Sequence, residues 1–458
     1  MKPVGLVDQT FLWLERRNQP MHVGGLMLMT PPPEEPDFVG QLVEKLLAAT
    51  RAEAPFNQRL ARRLGVWFWE EDPEFDIEAH VRHVALPRPG RIRELLTLVS
   101  RIHGNLLDRA KPLWELYVID GIEDGRAAVY FKIHHALADG VAGARMMQRA
   151  MSEDPDDRAR LPLWAQPPRA APVTDLAPAP RGDAIAGIIA AARGQLAAIR
   201  TVTRELVRPL VNGEEKDYVS AYQAPRTVLN QRITGSRRFA AQAWPLERIK
   251  AVGKRHGATV NDVVLAMCGS ALRRYLGDLA QLPQKPLIAM VPVSLRRDDS
   301  ESGNQVAMVL ANLGTHLADP VERLATVVRS VRVAKERFAR MTPQEILTYS
   351  GAELSLVGLN MATGIAPTLQ AFNVVISNVP GPKQQLYFHG ARVDGAYPVS
   401  IVVDGQALNI TLTSYADKLA FGLIACRRSV PHMQQLLGHL EDAIVELESA
   451  ATRSSAFA

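Results

Sequence analysis

The chain has 458 residues, 47% of them hydrophobic, with a formal charge of +5 and a pI near 9.2. That length and apolar content supply a large core and exceed one ordinary domain, so two domains are the starting expectation; two cysteines, Cys268 and Cys426, exclude a disulfide framework. Apolar runs of about 18 residues or more are missing, which excludes a bilayer-spanning helix. The basic balance suits several kinds of anion, but zinc-finger spacing, an aromatic RNA-binding strand and a dense Lys/Arg tract are all absent, so nucleic acid is not expected.

Met1-Lys2-Pro3 leads into mixed charged and apolar residues rather than a signal sequence, which implies the cytoplasmic side. Residues 23–29 read as a strand. Asp37 is placed to cap a helix carrying Val39, Leu42, Val43, Leu46 and Leu47 at helical spacing, and a second helix carries Ile92, Leu95, Leu96, Val99, Ile102 and Leu106. Residues 115–120 and 127–133 read as two strands joined across Asp124-Gly125, a hairpin.

From about residue 155 to 225 the composition changes. Pro162, Pro167, Pro168, Pro172, Pro178 and Pro180 rule out long regular structure in its first half. The second half, 184–207, puts Ile185, Ile188, Ile189, Ala192, Leu196, Ile199 and Leu206 on one helical stripe with Arg193, Arg200, Arg204 and Arg208 interspersed. Such a helix either packs its stripe on the body of the protein or lies in a membrane interface. Beyond it, Thr259 caps a helix bearing Val260, Val263, Val264, Met267, Ala271, Leu272 and Tyr275. Residues 287–293, 372–376, 400–403 and 408–415 read as strands and 431–450 as a closing helix. The expected division is an N-terminal lobe at 1–154, a Pro-rich crossover at 155–226 and a C-terminal lobe at 227–458.

The run His134-His135-Ala136-Leu137-Ala138-Asp139-Gly140 follows the second strand of the hairpin. An extended backbone sends consecutive side chains to opposite faces, so only one of the two histidines can address a reacting atom. A histidine there suits general-base catalysis, because its ordinary pKa of about 6.5 lies near working pH. The bland alternative is two satisfied polar side chains. Zinc is the poorer reading: adjacent histidines diverge, and His80-x-x-His83 lacks further ligands at useful spacing, so no metal is expected. No GxSxG elbow appears and Cys268 sits in an apolar helical pattern, which leaves a covalent nucleophile unsupported.

Read with "QPMHVGG" (19–25), "PLWELYVIDG" (112–121), "KIHHALADG" (132–140), "TVNDVVLA" (259–266), "SNVPGP" (377–382) and "LNITLTSY" (408–415), the chain resembles, end to end, the bacterial wax ester synthase/diacylglycerol acyltransferases. These belong to the larger HHxxxDG acyltransferase group. The resemblance implies an α/β fold of two chloramphenicol-acetyltransferase-like lobes, with mixed sheets, flanking helices and an active-site channel between the lobes. It implies transfer of a fatty acyl group from acyl-CoA, a co-substrate rather than a cofactor, to a long-chain alcohol or diacylglycerol.

His135 is then the base and His134 holds the loop. Asp139, with Gly140, shapes the loop by pairing with Arg296, or with Arg297 as runner-up, although a triad with His135 is the competing role. Ser377, or its neighbour Asn378, donates to the oxyanion. Asn261 and Asp262 sit in a first helical turn, where a carboxylate complements the dipole and Asn261 has the option of facing the channel. Pro112, Leu113 and Trp114 are either acyl-pocket lining or core. The basic residues are too many and too scattered to assign the coenzyme A phosphates. A peripheral place on the inner membrane or lipid inclusions follows from the acceptors, and the oligomeric state is not legible. The rival functions are a condensation-type acyltransferase that uses carrier-bound acyl groups and a catalytically idle lipid-surface coat; the coat would need no base.

Overall fold

The computed structural model describes residues 1–63, 65–167, 218–219, 223–294, 306–342, 345–346, 349 and 370–455. The N-terminal part runs β1 (Lys2–Pro3), α1 (Leu6–Leu14), β2 (His22–Thr30), α2 (Phe38–Ala48), β3 (Gln58–Arg63), β4 (Val66–Glu71), β5 (Val81–Ala85), α3 (Ile92–His103), β6 (Trp114–Asp120), β7 (Ala127–His134) and α4 (Gly140–Arg149). The C-terminal part begins with β8 (Arg237–Pro245), α5 (Leu246–His256), α6 (Val260–Asp278), β9 (Ile288–Ser294), β10 (Val306–Asn312) and α7 (Pro320–Phe338). It continues through β11 (Val374–Val379), β12 (Tyr387–Phe388), β13 (Ala391–Val399), β14 (Leu408–Tyr415), β15 (Lys418–Cys426) and α8 (Gln435–Ser455).

Two six-stranded sheets organise these elements, in the orders β12-β13-β2-β7-β6-β5 and β10-β9-β11-β14-β15-β8, with a small third sheet β1-β4-β3. Both large sheets are mixed: β5 runs parallel to β6 in the first, and β11 runs parallel to β9 and β14 in the second. This is the two-lobed α/β architecture expected. The sheets do not divide where the sequence was divided, however. β13 comes from the C-terminal part yet closes the N-terminal sheet, pairing with β2 from Arg392↔Thr30 to Val399↔Gly24 with a bulge between Val393 and Gly395.

The expected hairpin is present, with β6 and β7 antiparallel and Asp124 and Gly125 both at positive φ in the turn. Helix α2 packs Phe38, Leu42 and Leu46 on one face of the N-terminal sheet, against Val23, Met27, Val118 and Phe131; Val39, Val43 and Leu47 flank that contact. Helix α3 lies against the other face and reaches the second lobe, where the Phe239 N–H donates to Ser100 Oγ at 2.8 Å. The described start of the Pro-rich segment is docked rather than free: Trp164 is fully buried and its indole N–H donates to the Ala49 carbonyl. The basic amphipathic stretch at 184–208 lies outside the described residues.

Three expectations are corrected. Leu106 is not part of α3, which ends at His103; it is 41% exposed, and Leu107 is buried in its place. Residues 400–403 form no strand but lead into a turn at Asp404-Gly405 closed by a Val403↔Gln406 bridge, and the strand of that region is β13. The closing helix begins at Gln435, four residues after the expected start.

Candidate active site

The hairpin brings the histidine pair to the end of a fully buried strand. On β7, Val129, Phe131 and Ile133 face α2, so by alternation Tyr130, Lys132 and His134 face α3. His134 has no exposure, and its Nδ1 accepts the Ala136 N–H at 3.1 Å, which leaves the ring proton on Nε2. That nitrogen stands 3.4 Å from Glu15 Oε1, at ion-pair range but without hydrogen-bond alignment. The His134 ring thus takes one loop N–H on Nδ1, and its carbonyl accepts those of Leu137 and Ala138.

His135 leaves the strand and is half-buried, with its backbone N–H donating to the Met21 carbonyl at 2.8 Å. Burial pushes the pKa of its ring below 6.5, against the opposing pull of the Asp139 charge, so the ring is neutral at pH 7. Asp139 has a role that the sequence reading did not give it: it is the N-cap of α4, and its Oδ1 accepts the Ala142 N–H at 2.7 Å. Among the described residues no hydrogen bond joins Asp139 to the His135 ring. Arg296 and Arg297, the expected partners of Asp139, lie outside the described residues. Gly140 opens α4, where an added Cβ would meet nothing within 4 Å of the described chain.

Helix α1 supplies contacts that the sequence reading missed. Asp8, Phe11 and Glu15 recur at three- and four-residue spacing and so share one side of α1 and its C-cap. The Phe11 ring stacks on the His135 ring with centroids 4.0 Å apart and planes 16° apart. Burial and the nearby Asp139 charge raise the pKa of Asp8. Burial also works against the Glu15 carboxylate, but His134, the Met21 N–H and Arg109 outweigh it and hold its pKa below the usual value. The spacing D-x-x-F-x-x-x-E was visible in the sequence, but its members are polar or aromatic and form no apolar stripe.

Beneath the motif the α3 side of the sheet is a buried polar layer. Lys132, fully buried, pairs with Glu115 at 2.9 Å and donates to the carbonyls of Ile102 and Asn105; burial pushes its pKa down against the pull of Glu115. Glu115 also takes Arg82 at 2.9 Å and the Tyr117 hydroxyl at 2.7 Å. His103 donates from Nε2 to the Ser400 carbonyl and accepts the Tyr130 hydroxyl on Nδ1 at 2.6 Å. His22, opposite His134 in register, donates from Nε2 to the His103 carbonyl.

Of the two readings of Pro112, Leu113 and Trp114, the structure favours core over the slightly preferred pocket lining. Leu113 and Trp114 have no exposure; Trp114 donates its indole N–H to the Phe56 carbonyl and stacks between His80 and Trp164. Their service to the site is structural, since the His134 N–H donates to the Leu113 carbonyl. Asp262 is likewise structural: it closes a capping box with Thr259 at the start of α6. Asn261, beside it, is half-buried. Cys268 is buried in that helix and its thiol pKa is pushed up to about 12, which removes it as a nucleophile.

Ser377 and Asn378 are neighbours on β11 and point to opposite faces. Ser377 is half-buried on the face away from core residues Val374 and Ile376, and pairs in parallel register with Thr411. Asn378 is exposed. The Pro-Gly-Pro turn that follows needs its glycine, because a Cβ on Gly381 would collide with the Ser414 carbonyl. Among the described residues no hydrogen bond joins Ser377 or Asn378 to His135, and none of the described His, Cys, Asp and Glu residues gather in a metal-holding group.

The geometry matches known proteins. The profile of the wax ester synthase/diacylglycerol acyltransferase catalytic domain matches residues 5–264, and that of the WS/DGAT C-terminal domain matches residues 302–448. The O-acyltransferase WSD of Acinetobacter baylyi is 49% identical over 458 aligned residues, covering 99% of this chain and 98% of its own. A probable diacylglycerol O-acyltransferase of Mycobacterium tuberculosis is 45% identical over 452 residues, covering 97% and 98%. The solved structure of the wax ester synthase/diacylglycerol acyltransferase from Marinobacter aquaeolei VT8 is 44% identical and superposes with a TM-score of 0.80, covering 98% of this chain and 100% of that one. An acyltransferase motif on a buried hairpin, inside a fold shared end to end with these enzymes, makes this chain a member of the wax ester synthase/diacylglycerol acyltransferase family.

Proposed function

We propose that the enzyme transfers a fatty acyl group from acyl-CoA to long-chain alcohols and to diacylglycerol, forming wax esters and triacylglycerol, with His135 as general base. The observation that carries this reading is the split between the two histidines: His134 is sealed and bonded on its Nδ1, while His135 is half-buried, with its pKa lowered by burial and its ring bonded to no other described side chain. His135 takes the proton from the acceptor hydroxyl as its oxygen bonds to the thioester carbonyl. The tetrahedral intermediate collapses with cleavage of the C–S bond, and the ring returns the proton to the departing thiolate. Ester and free coenzyme A leave, with no acyl-enzyme.

Ser377 is the oxyanion donor in this reading, supported by its half-buried place on the face of β11 away from core residues Val374 and Ile376. Asp139 acts through the loop it caps rather than as a triad member. The acceptors reside in membranes and lipid inclusions, so the enzyme works at such a surface on the cytoplasmic side and binds it reversibly. In support, none of the described helices is long and apolar enough to cross a membrane.

The test is thiol release from palmitoyl-CoA with hexadecanol, dipalmitoylglycerol and short alcohols as acceptors. His135→Ala is expected to lower the rate by about 10²–10⁴-fold. Retention of more than about a tenth of the rate would sink the base assignment. Because burial depresses the ring's pKa, the acid limb of kcat is expected below pH 6.5. A protein that releases no thiol with any of these acceptors would overturn the donor assignment.

A further inference from the structure

A general-base histidine needs its ring held in one orientation, and that task commonly falls to a carboxylate on the second nitrogen. Here the Asp139 carboxylate caps α4 through Ala142, and among the described residues no other side chain hydrogen-bonds the His135 ring, whose polar contact is with its own backbone. The backbone of His135 is tied to Met21, and the ring's own polar partners are the His135 backbone and the Asp139 charge, neither of which sets the plane of the ring from outside the residue's own loop. The element that does touch the ring is Phe11, stacked face to face with centroids 4.0 Å apart.

Phe11 is itself held from both ends of α1. Leu12 is in the core with Leu60, Trp69, Leu107 and Leu113. Gln9 donates to the Val4 carbonyl at the start of the helix, and Gln19 to the Leu14 carbonyl at its end. Glu15, at the C-cap, is clamped by Arg109 at 2.9 Å and by the Met21 N–H. Met21 therefore joins the two sides: its N–H holds the end of α1 and its carbonyl holds His135.

We propose that Phe11 is the positioning residue of the base: its flat face fixes the plane of the His135 ring so that a ring nitrogen meets the acceptor hydroxyl. The proposal rests on the assignment of His135 as general base. Position 11 thus requires a flat ring of phenyl size, and apolar bulk alone does not suffice.

The experiment compares Phe11→Leu, Phe11→Tyr and His135→Ala in the full chain, with palmitoyl-CoA and a water-dispersed alcohol. Phe11→Leu keeps apolar volume without a flat face and is expected to lower kcat by about 10- to 100-fold, because small misplacements of a reacting group cost rates of that order. KM for palmitoyl-CoA is expected to stay within about twofold, since the lost contact acts on the chemical step. Phe11→Tyr keeps the ring and retains most of kcat. A Phe11→Leu enzyme with wild-type kcat, or a Phe11→Tyr enzyme that falls as far as Phe11→Leu, would overturn the proposal. Should Phe11→Leu show no cooperative melting, Phe11→Met reads the same contrast.

A second readout is the pH profile. Phe11→Ala opens one side of the ring to water, which relieves the burial that depresses its pKa and moves the acid limb of kcat to higher pH. An acid limb that does not move shows that Phe11 does not cover the ring. An inactive His135→Ala beside an unaffected Phe11→Leu removes the positioning role alone, whereas an active His135→Ala removes the base and Phe11's role together.

Discussion

The two faces of the N-terminal sheet are built from the same strands and solve different problems. The side toward α2 is apolar throughout the hairpin: Trp114, Leu116 and Val118 on β6, and Val129, Phe131 and Ile133 on β7. One residue along each strand, the side toward α3 carries Glu115, Tyr117, Tyr130, Lys132 and His134, joined across β2 by His22. Apolar contact is non-directional and gives stability, whereas buried hydrogen bonds cost desolvation and return a defined geometry. The α2 side thus holds the sheet by apolar contact, whereas the α3 side adds, beside its own apolar contacts at Leu26, Leu28, Ile119 and Ala128, the polar bonds that decide where the end of β7, and so the His135 loop, points.

The largest expected effect breaks the apolar side. Trp114→Ala removes a fully buried indole and its bond to Phe56, and is expected to cost about 3–5 kcal/mol in equilibrium denaturation. The fraction that remains folded should keep kcat near the wild-type value, because the backbone bonds of His134 to Leu113 and of His135 to Met21 do not use the Trp114 side chain. A stable variant with greatly reduced kcat would mean that the α2 side sets the geometry too, and the comparison would fail.

A smaller effect sharpens the polar side. Burial, with the Arg237 and Lys132 charges, lowers the pKa of His103 from 6.5 to about 3, and that of His22 is lowered well below 6.5 by burial and by the His103 and Lys132 charges. Protons therefore bind the unfolded chain first as pH falls, so stability is fully present above pH 6.5 and drains away below it. Glu15 and Glu115 have depressed pKa values and act only once pH approaches 4.5, which leaves the window from about 6.5 to 5 to the histidines. His103→Gln should flatten the loss of melting temperature across that window. An unchanged slope would show that His103 takes up its proton in the folded protein.

The hairpin, the histidine pair and the Thr259 cap were legible because each is local: a period-two run, a turn signal and a capping box are written within a few residues. β13 was not, since Gly395 and Pro398 interrupt its pattern and its partner β2 lies at the far end of the chain. The role of Pro112-Leu113-Trp114 was not decidable either, because a tryptophan beside a strand looks the same in the sequence whether it lines a pocket or stacks between His80 and Trp164. The α1 contacts were hidden for a related reason. Phe11 meets His135 across more than a hundred residues, and nothing in a local pattern announces that its ring is used for orientation rather than burial.

Asp139 stands beyond both faces of the sheet. The cap it gives α4 is worth about 1 kcal/mol by itself, so Asp139→Ala is expected to cost at least that much, read as a lowered melting temperature with loss of activity through a loosened loop. Asp139→Asn separates the cap from the charge, because asparagine caps a helix about as well as aspartate. If the helix cap alone carries the loop role, Asp139→Asn keeps both the melting temperature and most of kcat, whereas a loop held by an ion pair to Arg296 or Arg297 loses melting temperature in Asp139→Asn. If the carboxylate instead stabilises a charged His135, Asp139→Asn keeps the melting temperature and loses activity. The removal of the charge has its own signature: the acid limb of kcat moves to lower pH, since Asp139 is the charge that opposes burial at the His135 ring. An acid limb that shifts while kcat on the plateau stays high would place Asp139 as a tuner of the base and a cap of its loop, with the orientation of the ring left to Phe11.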